Sequence, residues 1–357
     1  MSAKENIVCT PHLGDYSLLA NMLIERCLGY KTINCPKTTK KTVEIGAKNS
    51  PDTICTPFKI VLGNYIEALE LGANILFVVG TGCRLGFFDV LFKQVLTDLG
   101  YEFKMLNLFE YNANAIKMFK ILKEWNPELK VESFTETLDL LKQIAIDMDE
   151  LGDYLRLNIA FELQKGQFEE NYQAYLKNVF KSLSKKEAAE IGNEYKNIFQ
   201  KIEIMKPERP LRIGLIGDLY SVMEPHGNCY IEKWLQENKI EMHRPITLTY
   251  LVNTLFNLEN FIGIKSDYAE YNMGGNATNT VVLAQEMAKN GLDGIIHMKA
   301  ATCSPEITAM TILQNISKDY NIPIIYFTFD TETSETGVHT RLEAFVDMLE
   351  MKREEKR

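Results

Sequence analysis

Long apolar runs are missing from this chain of 357 residues. No stretch approaches the roughly 18–20 consecutive apolar residues that a membrane-spanning helix needs. The first sixteen residues, MSAKENIVCTPHLGDY, also lack the apolar core of a secretory signal. We therefore expect a cytoplasmic protein without membrane contact, in a reducing compartment that disfavours structural disulfides.

An excess of positive charge is missing as well. The 48 acidic residues outnumber the 39 Lys and Arg residues, and the formal net charge is −9. A broad nucleic-acid-binding surface needs the opposite balance, so we expect no nucleic-acid partner. Hydrophobic residues at 46% and charged residues at 24% are typical of a soluble globular protein, and this length suffices for two or three domains.

Paired cysteine motifs and common nucleotide-binding motifs are also absent. None of the seven cysteines lies in a Cys-x-x-Cys pair, which argues against a zinc ribbon or a thioredoxin-like motif. Neither a Walker motif nor a Gly-x-Gly-x-x-Gly fingerprint occurs. We therefore interpret the cysteines as thiols or metal ligands: Cys9, Cys27, Cys35, Cys55, Cys83, Cys229 and Cys303.

Proline and glycine are scarce between residues 111 and 206, which contain one proline and three glycines. Apolar and charged residues alternate there at helical spacing, so we expect a helical segment. Residues 1–110 and 211–357 instead alternate strand-like and helix-like runs, which predicts βαβ units. The expected fold is α/β, with two Rossmann-like parallel-sheet domains on either side of the helical segment. The predicted strands are residues 6–10, 31–35, 52–55, 75–79, 102–106, 211–217, 294–297 and 322–329.

Three cysteines follow short, apolar, strand-like runs: Cys55 in DTICTPFK, Cys83 in ILFVVGTGCRLG and Cys303 in GIIHMKAATCSPE. The carboxyl ends of parallel strands line the crevice where ligands bind, so we expect the three thiols to converge. Thiolates favour iron–sulfur clusters, zinc or copper(I), and three ligands leave one metal position open. The alternative is that these are ordinary buried cysteines.

Cys55 and Cys303 share a second feature. Each is followed, two residues later, by a proline that suits the first turn of a helix: Pro57 and Pro305. Both cysteines are therefore predicted to lie at helix N-termini, where a thiolate or an anionic ligand is favoured.

Further candidates surround these cysteines. Gly82 would let the backbone approach a bulky inorganic group, and Arg84 would balance a negative cluster. Gly274 and Gly275 precede a predicted helix and form a candidate phosphate or substrate loop. The loop after residue 217 offers two acid–base candidates, Glu224 and His226. The competing interpretation of all six is turn and capping residues.

These motifs resemble the 2-hydroxyacyl-CoA dehydratase component family, and in particular its D-component-like, activase-associated branch. The resemblance rests on DTICTPFK, VVGTGCRLG, GLIGDLY with the loop through PHGN, ATCSPE and HTRLEAFVDMLE. It covers residues from about 6 to 110 and from 211 to the end. It implies a [4Fe–4S] cluster held between the two domains by Cys55, Cys83 and Cys303.

The resemblance also implies an activity. Such a protein is an oxygen-sensitive lyase of anaerobic metabolism, or a subunit of one, which dehydrates a 2-hydroxyacyl-CoA thioester. An ATP-dependent activase injects one low-potential electron, a ketyl radical forms on the thioester, and the electron is recovered. The implied partners are the activase and either a homologous subunit or a second copy of the chain.

Two other functions stay open on the sequence. A sister branch of the family holds a double-cubane [8Fe–9S] cluster and reduces small molecules. Such a cluster needs more thiolates, for which Cys9, Cys35 and Cys229 are available. The other possibility is a non-catalytic cluster carrier or scaffold subunit.

Overall fold

The computed structural model describes residues 5–78, 87–108, 114–250, 253 and 266–355. Eight strands occur in these ranges, and they form two sheets of four. The first sheet contains β1 (Ile7–Thr10), β2 (Lys31–Asn34), β3 (Ile75–Val78) and β4 (Lys104–Asn107). The second contains β5 (Leu211–Gly217), β6 (Ile240–His243), β7 (Gly294–Ala300) and β8 (Ile324–Phe329).

Thirteen α-helices within the described ranges surround the sheets, and none of them is long and apolar enough to cross a membrane. The first domain contributes α1 (Ser17–Leu28), α2 (Lys40–Lys48), α3 (Thr56–Glu70), α4 (Phe88–Asp98) and α5 (Ala115–Trp125). The middle contributes α6 (Val131–Asn158), α7 (Gln167–Val179) and α8 (Lys185–Lys201). The remainder are α9 (Leu219–Met223), α10 (Ile231–Glu237), α11 (Ala277–Lys289), α12 (Ser304–Asp319) and α13 (Glu335–Glu354).

The two sheets have the same topology. Every strand pair is parallel, and the orders are β2-β1-β3-β4 and β6-β5-β7-β8. The expectation of two Rossmann-like parallel-sheet domains with a helical middle segment is therefore confirmed.

Side-chain alternation gives the first sheet a core on each face. Val8 and Phe77 pack on one face with α1 and α5, whereas Cys9 and Leu76 pack on the other with α3 and α4. Successive residues of a strand point to opposite faces, so these short strands bury both of their sides.

The helical middle segment shares its core with the second sheet. Leu140, Ile144, Met148 and Leu151 lie on one face of α6 and belong to the same buried cluster as the β5 and β7 side chains. Their spacing of three and four residues is that of an amphipathic helix. The segment is thus joined to the second sheet by a continuous apolar core.

Three elements were not predicted, namely α2, α9 and β6. The polar sequence of α2, KKTVEIGAK, hides its helical period, but a capping box between Thr39 and Thr42 marks its start. The sequence of β6, IEMH, contains charged and polar residues. It becomes a strand because β5 is available as its parallel neighbour.

Candidate functional site

The strand order directs attention to the carboxyl edge of each sheet. Ligands of open parallel sheets bind where the strand order reverses. This point lies between β1 and β3 in the first sheet and between β5 and β7 in the second. The loop after β1 contains His12, the loop after β5 contains Glu224, and the loop after β7 contains Cys303.

Cys303 is the N-cap of α12, as predicted, and lies three residues after the end of β7. Asp218 holds the neighbouring loops together. Its carboxylate accepts bonds from the N–H of Ala300 at 2.7 Å and from the N–H and the hydroxyl of Ser221, both at 2.8 Å. Removal from water raises the pKa of Asp218. The loops after β5 and β7 are therefore joined beside Cys303.

Cys55 is the N-cap of α3, which confirms the predicted helix N-terminus. The predicted strand before it is wrong. Residues 51–54 form a turn, in which the N–H of Ile54 donates to the carbonyl of Pro51 at 3.1 Å. The chain only reverses direction between α2 and α3, and no strand of either sheet lies there to pair with it. Because α3 leads back to the start of β3, its N-terminus still lies near the carboxyl edge.

One carbonyl group connects the two cysteine turns. The oxygen of Phe329, at the end of β8, accepts a bond from the hydroxyl of Thr56 at 2.9 Å. It also accepts one from the N–H of Ala301 at 2.9 Å. Thr56 directly follows Cys55, and Ala301 precedes Cys303 by two residues. Two helix starts that carry predicted ligands are thus brought from opposite ends of the chain to one acceptor.

The glycine-rich loop lies against the same helix start. Gly274 and Gly275 adopt positive φ angles of 82° and 52°, a region that favours glycine. A Cβ atom added at Gly275 would lie 3.6 Å from the ring of Pro305. Asn276, the N-cap of α11, donates to the carbonyl of Gly217 at 2.8 Å. The loop is therefore fixed beside the Cys303 turn.

The two acid–base candidates point to different partners. Glu224 is 1% exposed, and its carboxylate accepts bonds from Nδ1 of His12 at 2.8 Å and from the N–H of Gly14 at 3.4 Å. His226 instead bonds to the hydroxyl of Tyr230 at 3.2 Å. Burial lowers the pKa of His226.

His12 was not identified from the sequence. It follows β1 in the segment Thr10-Pro11-His12 and has no motif around it. Its position after an apolar run, at a strand end next to proline, is the one signal that marks it.

A buried polar network lies beneath the start of α12. Glu306, which is fully buried, accepts bonds from Nε2 of His297 at 2.9 Å and from the hydroxyl of Thr280 at 3.0 Å. His297 is fully buried on β7. Lys299 donates to the carbonyls of Ala300 and Ala301, and burial lowers its pKa. These contacts anchor the helix that Cys303 begins.

The other cysteines lie apart from these turns. Cys9, within β1, and Cys35, directly after β2, form a buried disulfide with Cα atoms 6.1 Å apart. The expectation that all seven cysteines are thiols or metal ligands is therefore wrong for this pair, because β1 and β2 bring the two side chains together. Cys27 and Cys229 are buried, and burial raises the pKa of each thiol to about 11.

Three predicted site residues, Gly82, Cys83 and Arg84, lie outside the described residues. Within the described ranges, no group of three or more His, Cys, Asp or Glu side chains is arranged to hold a metal ion. Cys55 and Cys303 are both half-buried N-caps, and neither makes a side-chain capping bond. Two soft donors at adjoining helix N-termini suit a negatively charged thiolate–metal group.

Comparison with known families identifies the family of the chain. Residues 169–349, just over half of the chain, match the family model of the 2-hydroxyglutaryl-CoA dehydratase D-component. The chain belongs to this family, and hence to the dehydratase type of component that it describes. The match includes the second sheet with the loops that carry Glu224, Gly274 and Cys303. No curated protein matches the sequence.

Proposed function

We propose that the chain is the iron–sulfur subunit of a lyase that dehydrates a 2-hydroxyacyl-CoA thioester. The observation that carries the proposal is the Phe329 carbonyl, which joins the Thr56 hydroxyl to the Ala301 amide. Through these bonds Cys55 and Cys303 adjoin the carboxyl edge of the second sheet. Family membership supplies the reaction type.

The proposed cluster ligands are Cys55, Cys83 and Cys303, and the proposed group is a [4Fe–4S] cluster. When bound, it would supply one-electron chemistry and an iron atom open to substrate oxygen. Two of these residues begin helices, whose N-termini favour thiolates and anions. Lys299 adds positive charge near Cys303, since the two groups interact electrostatically.

The chain's other candidates would surround the substrate. The loop of Gly274 and Gly275 lies beside the start of α12, where we propose that it binds an acyl or phosphate oxygen. Gly82 and Arg84 keep their proposed roles beside Cys83. The proposed partners are an ATP-dependent activase and either a homologous subunit or a second copy, and the proposed location is the cytoplasm.

The positions of the remaining cysteines support a single cubane over a double one. Cys9 and Cys35 are bonded to each other, and Cys229 lies in the core of the second domain. Additional thiolates for an [8Fe–9S] cluster would require both arrangements to change.

The test is iron and acid-labile sulfide analysis of protein prepared without oxygen. Wild type should contain about four of each per chain. Cys55→Ser, Cys83→Ser and Cys303→Ser should each lose most of the iron. Cys27→Ser is the matched control, because that thiol is buried in the α1 core, and it should retain the iron. Full iron in Cys303→Ser would refute the ligand assignment.

Activity is tested separately with the activase, ATP, a strong reductant and a set of 2-hydroxyacyl-CoA thioesters. Turnover should require all three additions and should stop in air. Dehydration in air without ATP would contradict the proposal. A loaded cluster without any dehydration would favour a scaffold, and about eight iron atoms per chain with reductase activity would favour the double cubane.

A further inference from the structure

An imidazole–carboxylate pair joins the two α/β domains. His12 lies on the loop after β1 and Glu224 on the loop after β5, and Nδ1 of His12 donates to the Glu224 carboxylate at 2.8 Å. These are the loops at the reversal points of the two sheets. The pair is therefore formed between the two edges at which a ligand is expected.

The pair is built in the manner of a proton-transfer dyad. The Glu224 side chain is 1% exposed and is also held by the N–H of Gly14. The His12 side chain is 17% exposed, so the imidazole lies at the boundary between the buried carboxylate and the surface. A carboxylate bonded to Nδ1 fixes the ring orientation and the tautomer, and it leaves Nε2 to exchange protons with a substrate.

Contacts on both sides connect the dyad to the cysteine turns. A Cβ added at Gly227 would lie 3.4 Å from Ile60, so the Glu224 loop lies against α3, the helix that Cys55 begins. The same loop begins at Asp218, which bonds to the Ala300 amide close to Cys303.

The surrounding titratable groups are few among the described residues. Asp15 on the loop after β1 interacts with His12. Tyr220, His226 and Tyr230, all from the segment after β5, interact with Glu224. No Lys or Arg is among these partners, so the His12 imidazole is the one basic side chain bonded to the Glu224 carboxylate in this part of the chain.

We propose that His12 is the catalytic base and acid of the dehydration, and that Glu224 is its positioning residue. This inference rests on the proposed function. Nε2 of His12 takes the proton from carbon 3 of the 2-hydroxyacyl group and passes it to the hydroxide that leaves carbon 2. One C–H bond and one C–O bond break, while one C=C bond and one O–H bond of water form. The electron supplied by the activase is returned, so no net oxidation occurs.

With His12 as the catalytic residue, Glu224 changes from an acid–base candidate to a positioning residue, and His226 is no longer a candidate. Glu224 is buried behind the imidazole and acts through it. His226 is bonded to Tyr230 and has no part in this step.

The test compares His12→Ala, Glu224→Gln and the control His339→Ala in anaerobically loaded protein. His339 is the matched histidine, since it is partly exposed and bonded to the carbonyl of Cys229 and not to His12 or Glu224. We expect His12→Ala to lose about 10²- to 10⁴-fold in kcat, with full iron content, and added imidazole to restore part of the rate. Glu224→Gln should lose about tenfold or more and should flatten the pH profile of kcat. In the NMR spectrum of Glu224→Gln, the resonance of the hydrogen-bonded Nδ1 proton of His12 should disappear.

The outcomes distinguish a failure of the proposed function from a failure of the His12–Glu224 dyad. A wild type that is loaded but inactive on every 2-hydroxyacyl-CoA thioester overturns the proposed function and this inference with it. An active wild type with His12→Ala within threefold of its rate overturns the dyad alone. Loss of iron in His12→Ala, or a low rate that imidazole does not raise, overturns it in favour of a structural link between the domains.

Discussion

Replacing Asp149 by alanine is expected to lower the free energy of unfolding by about 3–5 kcal/mol. Asp149 lies on α6 and is 5% exposed. Its carboxylate accepts bonds from the hydroxyl of Tyr16 at 3.0 Å, the N–H of Leu248 at 3.3 Å, and the N–H and hydroxyl of Thr249 at 2.7 and 2.5 Å. The residue thus connects the helical segment to the loops after β1 and β6.

The magnitude follows from the number of donors that lose their acceptor. A bond to a charged group contributes about 1.5–3 kcal/mol, and a buried donor without a partner costs about 1–3 kcal/mol. Four bonds set an upper limit of roughly 12 kcal/mol by this count. Water can enter beside Tyr16, and the Thr249 hydroxyl can rotate to another acceptor. Both changes reduce the expected loss of stability to about the 3–5 kcal/mol given above.

The assay is urea unfolding followed by circular dichroism, with amide hydrogen exchange at Leu248 and Thr249 as a local readout. Glu150→Ala is the control, because Glu150 is the next residue of α6, is 56% exposed and pairs with Lys196. Exposed pairs contribute about 0–1 kcal/mol. The reasoning is refuted if the free energies of unfolding of Asp149→Ala and Glu150→Ala agree within 1 kcal/mol and the Leu248 and Thr249 amides exchange equally slowly in both variants.

Three further predictions follow from other contacts. Gly63→Ala should destabilise by about 2–3 kcal/mol in thermal unfolding, because the new Cβ would lie 2.0 Å from the Thr42 carbonyl oxygen. Thr56→Val should lose the bond to Phe329, which lowers stability by about 1 kcal/mol. The variant should also retain less iron than wild type on gel filtration. Tyr16→Phe should flatten the fall of stability between pH 10 and 12 by about 1.4 kcal/mol per pH unit. The reason is that burial raises the pKa of Tyr16 to about 12, so only the unfolded state ionises in that interval.

Each of these has a matched control. Gly152→Ala places its Cβ 3.3 Å from the Arg156 guanidinium, a side-chain group and not backbone. Equal stability of the two glycine variants would contradict the backbone clash. Thr308→Val removes an exposed hydroxyl on α12, and it should not alter iron retention. Tyr271→Phe changes a tyrosine that is 76% exposed. If both tyrosine variants flatten the fall of stability between pH 10 and 12 equally, the assignment to Tyr16 is disproved.

The sequence predicted the sheets well because their signals are local. Apolar runs such as ILFV and LRIGLIG are too short for a typical helix and favour a buried strand, and Pro57 and Pro305 mark helix starts. Where local signals mislead, the presence of a neighbouring strand decides whether a segment becomes a strand. Asp52–Cys55 resembles a short strand but has no neighbour, whereas the polar β6 has one.

The candidate site divides in the same way. Residues at strand and helix ends were predicted because their position alone defines them, as for Cys303. The partner of a side chain depends on distant segments. Glu224 meets His12 across 212 positions of sequence, and Cys9 meets Cys35 through the pairing of β1 and β2. Neither contact has a spacing that a single sequence reveals.

The shared strand order of the two sheets has a consequence for how the site is assembled. Two sheets of equal topology approach each other through equivalent carboxyl edges, joined by the Thr56–Phe329 and His12–Glu224 bonds. Many enzymes obtain such a facing pair of edges only when two subunits associate. Here a single chain provides both edges, so their association is a unimolecular event. The contacts between the edges therefore persist on dilution, at concentrations where contacts between separate subunits would be lost.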